Sequence, residues 1–86
     1  MPTISTFYGI VIQMFWRDHN PPHFHAAYSG DQVVIDSRTL EIVSGDISRR
    51  ALPMVLEWAL SHRSELLQNW ELCQRKQRPN RIDPLP

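Results

Sequence analysis

The apolar periodicity of this chain changes once, near Asp46, and that change limits what it can fold into. Upstream, short runs rich in β-branched and aromatic residues are separated by turn signals, the pattern of strands. Downstream, Leu52, Leu56, Ala59, Leu60, Leu67 and Trp70 recur at spacings of three, four and seven, which puts them on one face of a helix. A strand half followed by a helical half reads as α+β: a small antiparallel sheet of three to four strands, then one bent helix or two helices packed on one face. Residues 1–76 are expected to form a single domain. Residues 77–86, where helix signals vanish, are read as an extended tail with Ile82 and Leu85 as its apolar anchors.

The first expected strand is Tyr8–Trp16, a continuous apolar run that implies burial on both faces or nearly so. Asn20-Pro21-Pro22 must be a loop, because two prolines remove two backbone donors. A second strand runs from about His23 to Tyr28, a turn falls at Ser29-Gly30-Asp31, and a third strand covers Gln32 to Asp36. Leu40–Val43 is the fourth candidate, closed by Ser44-Gly45-Asp46. The helical half is expected to begin close to Pro53, which a first turn tolerates, with Asp46 or Ser48 as N-cap. Ser61 is the candidate cap of a second helix reaching about Lys76.

With 86 residues, nine Lys and Arg against nine Asp and Glu, and a formal charge of zero, the overall field announces neither a nucleic-acid nor a membrane partner. A charge-based partner must therefore act locally. The lone cysteine, Cys73, excludes an internal disulfide or a cysteine-rich zinc cage and suits a reducing cytoplasm. The opening Met-Pro-Thr-Ile-Ser lacks the blocks of a signal peptide, and no apolar run approaches the ~20 residues of a membrane span. A cytoplasmic protein with no membrane association is expected.

Reactive groups are densest in Asp18-His19-Asn20-Pro21-Pro22-His23-Phe24-His25. On a strand, His23 and His25 share a face with Cβ atoms about 7 Å apart. They can then converge on one ion, with His19 or Asp18 brought round the proline loop as third ligand. The metal reading names His19, His23 and His25, with zinc or another divalent ion as cofactor and metal-dependent hydrolysis as its chemistry. A metal-free reading uses Asp18, His19, His23 and His25 as candidate catalytic groups, a histidine serving as acid or base near neutral pH and an arginine stabilising negative charge in RNA cleavage. The same residues also fit a stiff structural turn. Candidate nucleic-acid contacts are Arg17, Arg49, Arg50, Arg75, Lys76 and Arg78, though cations near a helix C-terminus also simply favour its dipole. Trp58 lies off the apolar stripe and is the candidate partner-facing residue.

Taken together, FYGIVIQMFWRDHNPPHFHAAYSG, VVID, RRALPMVLEW, HRSELLQNWE and the closing IDPL resemble the small bacterial proteins of domain-of-unknown-function family 4160. The family's aspartate, histidine, Pro-Pro and HFH fall at Asp18, His19, Pro21, Pro22, His23, Phe24 and His25. Pro53 departs from the pattern, which has a helix former there. The resemblance implies a component of a two-gene, toxin-antitoxin-type module. That would act through a small protein partner encoded nearby and through RNA or DNA. A purely structural partner-binding domain, as a homo-oligomer or a complex, is the remaining alternative.

Overall fold

The computed structural model describes residues 2–86. Five strands, β1 (Thr3–Phe7), β2 (Ile10–Gln13), β3 (His23–Tyr28), β4 (Asp31–Asp36) and β5 (Ile42–Asp46), precede α1 (Leu52–Ser61) and α2 (Arg63–Gln74). The strands form one antiparallel meander in chain order. The architecture is α+β with five strands, one more than the largest number expected. No helix among the described residues is long and apolar enough to cross a membrane.

The extra strand, β1, lies ahead of the expected Tyr8–Trp16 run, whose first two residues are a turn and whose strand is only Ile10–Gln13. Tyr8 and Gly9 form a two-residue turn with φ of 51° and 81°, the left-handed pair that a tight hairpin of type I′ requires. Upstream of it lies β1, and β2 ends at Gln13. The run is not buried on both faces: Tyr8 is 59% exposed and Trp16 52%. Ser29-Gly30 makes an equivalent turn between β3 and β4, with φ of 51° and 88°.

The fourth expected strand is also displaced. Asp36 Oδ1 accepts from the backbone N–H groups of Arg38 and Thr39, and Leu40 N–H donates to Asp36 O, so residues 37–40 are a turn. Pairing begins at Ile42, and Ser44-Gly45-Asp46 belongs to β5 rather than closing it. Gly45 has φ of +75° and lies opposite Val33. A Cβ there would collide with the Gln32 carbonyl oxygen and stand 3.4 Å from Val33 Cα.

Along the strands, Ile10, Ile12, Phe24, Ala26, Val33 and Ile35 alternate into the core, joined by Ile4 and Phe7. The helices cover that face. The regular helix begins at Leu52, next to Pro53 in its first turn, but Ala51 is the N-cap and no side chain caps it. Asp46 and Ser48 instead accept from Ile47 N–H and Arg50 N–H, shaping the approach to the helix. The helical half is two helices, with His62 rather than Ser61 at the junction.

The helical period holds, but its phase is shifted by about one residue. The buried stripe is Ala51, Val55, Trp58, Ala59, Leu66, Trp70 and Cys73, while Leu60 is 64% exposed. Trp58 is therefore not a partner-facing residue. It is fully buried against Phe7 and Phe24, with ring centroids 5.4 and 6.0 Å away, and its Nε1–H donates to Asp83 O at 2.8 Å. Turning the largest side chain inward sets the helix rotation, because the area it buries exceeds that of the leucine it displaces.

Residues 77–86 contain no helix or strand, and they are held down. Asn69 donates to Asn80 O and accepts from Asn80 N–H, at 2.9 and 2.8 Å. Ile82, buried, donates its N–H to Ile4 O on β1.

Gly45→Ala should lower unfolding stability by roughly 2–4 kcal/mol, since it adds a left-handed penalty to a backbone collision. Chemical denaturation measures this. A variant as stable as the parent would mean that β5 does not lie against β4 in this register.

Candidate functional site

The link between β2 and β3 is shaped by long-range backbone bonds. Met14 N–H donates to Pro2 O, Arg17 N–H to Cys73 O at the end of α2, and Ser37 N–H to Pro22 O. Gln74 Nε2 donates to Asp18 O at 3.3 Å. Arg17 takes φ of 54°, turning the chain so that the Asp18 side chain reaches back to β3. There His23 and His25, two residues apart, present their rings on one face, with centroids 5.2 Å apart.

Asp18 divides its oxygens. Oδ1 accepts from His19 N–H at 2.8 Å, and Oδ2 lies 2.9 Å from His23 Nε2 and 3.3 Å from His25 Nε2. Side-chain exposures of 24%, 10% and 15% for Asp18, His23 and His25 make a cluster that is sheltered yet open on one side. Trp70 packs against His23 at 5.1 Å, and Phe15 meets His25 edge-on at 4.5 Å.

The hydrogen bonds constrain the protons. His23 Nδ1 lies 2.8 Å from Pro21 O, which can only accept, so Nδ1 carries a hydrogen. In a neutral ring Nε2 is then a bare lone pair. It would face a carboxylate oxygen at 2.9 Å, two acceptors against each other, unless a proton or another cation lies between them. For His25, Gln32 Nε2 donates to Nδ1 at 2.6 Å, so His25 Nε2–H points at Asp18 and the ring is satisfied neutral.

The electrostatics agree. Burial lowers the His25 pKa below the usual 6.5; hydrogen bonding to Asp18 pulls it up, and the neighbouring His23 lowers it again. Burial pushes the Asp18 carboxyl up, but hydrogen bonds from His19 N–H, His23 and His25 outweigh that and hold it below 3.8. Burial raises the Cys73 thiol, which leaves it an inert core group.

The candidate residues thus separate. Asp18, His23 and His25 each offer a ligand atom, all within 4.8 Å of one another. His19, expected as a metal ligand, is exposed, and its contact with the cluster is its backbone N–H on Asp18. Asp18 takes the third position because the bonds to α2 turn it inward. Arg17, Arg75, Lys76 and Arg78 are exposed, and the bonds from Cys73 and Gln74 lay the end of α2 beside Arg17. Arg49 and Arg50 are exposed in the turn before α1, and no hydrogen bond or ion pair among the described residues joins them to the cluster.

Two contributors were not anticipated. Gln32 pairs with Ala27, which puts it diagonal to His25 on the same face, a position readable from the Ser29-Gly30 turn. Trp70 covers His23 through a helix-to-sheet contact that no local pattern encodes.

Residues 9–71 match the family model described as domain of unknown function (DUF4160). Comparison with curated proteins and with solved structures gives no match.

Protonating His25 costs folding energy, because its folded pKa lies below its unfolded value. Its contribution to stability should be fully present above about pH 6.5 and fall away as pH drops through the folded value. In metal-free protein, an NMR titration should find His25 titrating below 6.5, and lower still in Asp18→Asn, which removes the carboxylate that pulls it up. A His25 pKa raised by that substitution would contradict the geometry.

Proposed function

The chain belongs to the domain-of-unknown-function family DUF4160, and we propose that it is a metal-binding module in which Asp18, His23 and His25 hold one divalent transition-metal ion. The observation that carries this reading is the pair of facing acceptors, His23 Nε2 and Asp18 Oδ2. Donation of Nδ1–H to Pro21 O is the arrangement that fixes a ligating histidine in the correct tautomer, and it aims the Nε2 lone pair at the carboxylate.

The spacing suits an ion. Ligand atoms at about 2.1 Å from a tetrahedral metal lie about 3.4 Å apart, against 2.9 and 3.3 Å from Asp18 to the two histidines. All three ligand atoms lie within 4.8 Å of one another, close enough for one ion to gather them. His25 would ligate through Nε2 as its Nδ1–H tautomer, with the flipped Gln32 amide offering its carbonyl oxygen as the acceptor for that hydrogen. Two histidines and one carboxylate are borderline ligands that favour zinc or iron(II) over magnesium or calcium. Three protein ligands leave a position for water or substrate, as in catalytic rather than structural centres, and a metal there supplies Lewis acidity and an acidified water.

The exposed arginines leave a protein partner and a nucleic acid compatible with the same module. The triad is the part whose geometry specifies a ligand.

Tag-free protein should carry about one transition-metal ion per chain by elemental mass spectrometry. The His23→Ala/His25→Ala double variant should lose it while keeping its circular dichroism spectrum. Chelation should lower the parent's Tm, because the ion binds only the folded state, and leave the double variant's unchanged. Cobalt(II) reconstitution should give visible ligand-field bands in the parent alone. Metal-free parent that takes up no cobalt would sink the reading.

A further inference from the structure

Lined by none of the triad's ligands, two adjoining cavities of about 300 and 260 Å³ share Pro2, Arg78 and Pro79. The larger is also lined by Trp16 and the smaller by Thr3 and Arg81. Trp16 is half exposed here, whereas Trp58 and Trp70 are core residues. Prolines 2 and 79 make stiff walls that lose little freedom when a ligand binds. Arg81 is held in place by donating from Nη1 to Thr3 O at 3.3 Å. Among the described residues, neither Arg78 nor Arg81 forms an ion pair with a carboxylate.

From this geometry we infer that the cavities hold an unpaired nucleotide of a single-stranded nucleic acid, its base stacked on Trp16 and its phosphates on Arg78 and Arg81. An exposed indole offers a flat π surface, and two uncompensated guanidiniums supply planar, bidentate donors to phosphate. About 300 Å³ is at the small end of ligand sites, the scale of one such unit. Exposed cations continue from the cavity through Lys76 and Arg75, and Arg17 lies beside that end of α2. A cationic track with an aromatic platform is the construction that follows a flexible phosphodiester strand and tolerates its sequence. The site stands beside the proposed cation centre without resting on it. Trp16 is two residues from Asp18, a Cα separation of at most about 7 Å, so a strand seated on Trp16 passes close to the triad.

Fluorescence anisotropy with a labelled thymidine decamer tests this, with the full chain as parent. Saturable binding is expected, competed by unlabelled single strand and not by duplex of equal length. Trp16→Ala and Arg78→Gln should each weaken it about tenfold. Arg78→Gln should also reduce the salt slope by about 0.7. Arg63→Gln, which removes an exposed charge from the start of α2, should leave binding unchanged. Binding in a parent that holds no metal supports this inference while the cation reading falls. No binding, equal weakening by Arg63→Gln, or equal competition by poly-glutamate would overturn the nucleotide assignment.

Discussion

Burial of Trp58 is the interaction on which the rest of the architecture depends. Its ring touches Phe7 from β1, Phe24 from β3 and His62 at the helix junction, and its N–H is satisfied by Asp83 in the C-terminal segment. One side chain thereby registers the sheet, both helices and the last ten residues. The indole N–H could not be buried without an acceptor at a cost of a few kcal/mol. Docking of the C-terminal segment and rotation of α1 are thus two parts of one solution. On α2, Trp70 and Cys73 are likewise turned inward, and the end of α2 lies against the β2–β3 connection, where the histidine cluster is assembled.

The cluster is best understood as a problem of charge balance. A carboxylate oxygen shared by two imidazoles needs two hydrogens or an ion. His25 provides one hydrogen without charge, because Gln32 occupies its other nitrogen. His23 cannot do the same, because Pro21 O takes its Nδ1–H. The asymmetry comes from the neighbours: the proline loop supplies a backbone carbonyl to one ring, while β4 supplies the Gln32 side-chain amide to the other. The apolar walls from Phe15 and Trp70 lower the local dielectric and make an uncompensated charge there more costly than in water.

Much of this was legible from the residues. The β3–β4 hairpin could be read because Ser29-Gly30 is an ordinary turn pair between alternating runs, and the shared face of His23 and His25 follows from a period of two. The β1–β2 hairpin could not, because Tyr8 is a strand-forming residue sitting at positive φ, and Gly9 alone is a weak marker. Periodicity located the helices but left their rotation to the relative size of Trp58 and Leu60. The choice of Asp18 over His19 was open because adjacent residues in a loop have no fixed facing. It is decided by the bond from Arg17 N–H to Cys73 O and the bond from Gln74 Nε2 to Asp18 O, each spanning 56 residues of sequence. The meeting of Trp16 with Arg78 likewise depends on how the last ten residues dock.

The two edges of the sheet are treated differently, and this bears on assembly. The β1 edge is occupied by the chain's own C-terminal segment through Ile82 and Ile4. The β5 edge is uncovered, with Ile42 and Val43 about half exposed. A strand template open on one side and plugged on the other cannot propagate. Two copies joined through β5 would each have spent that edge, giving a closed twofold pair with no surface left for a third, whereas removal of the C-terminal segment would free the second edge and convert a terminating contact into a repeating one.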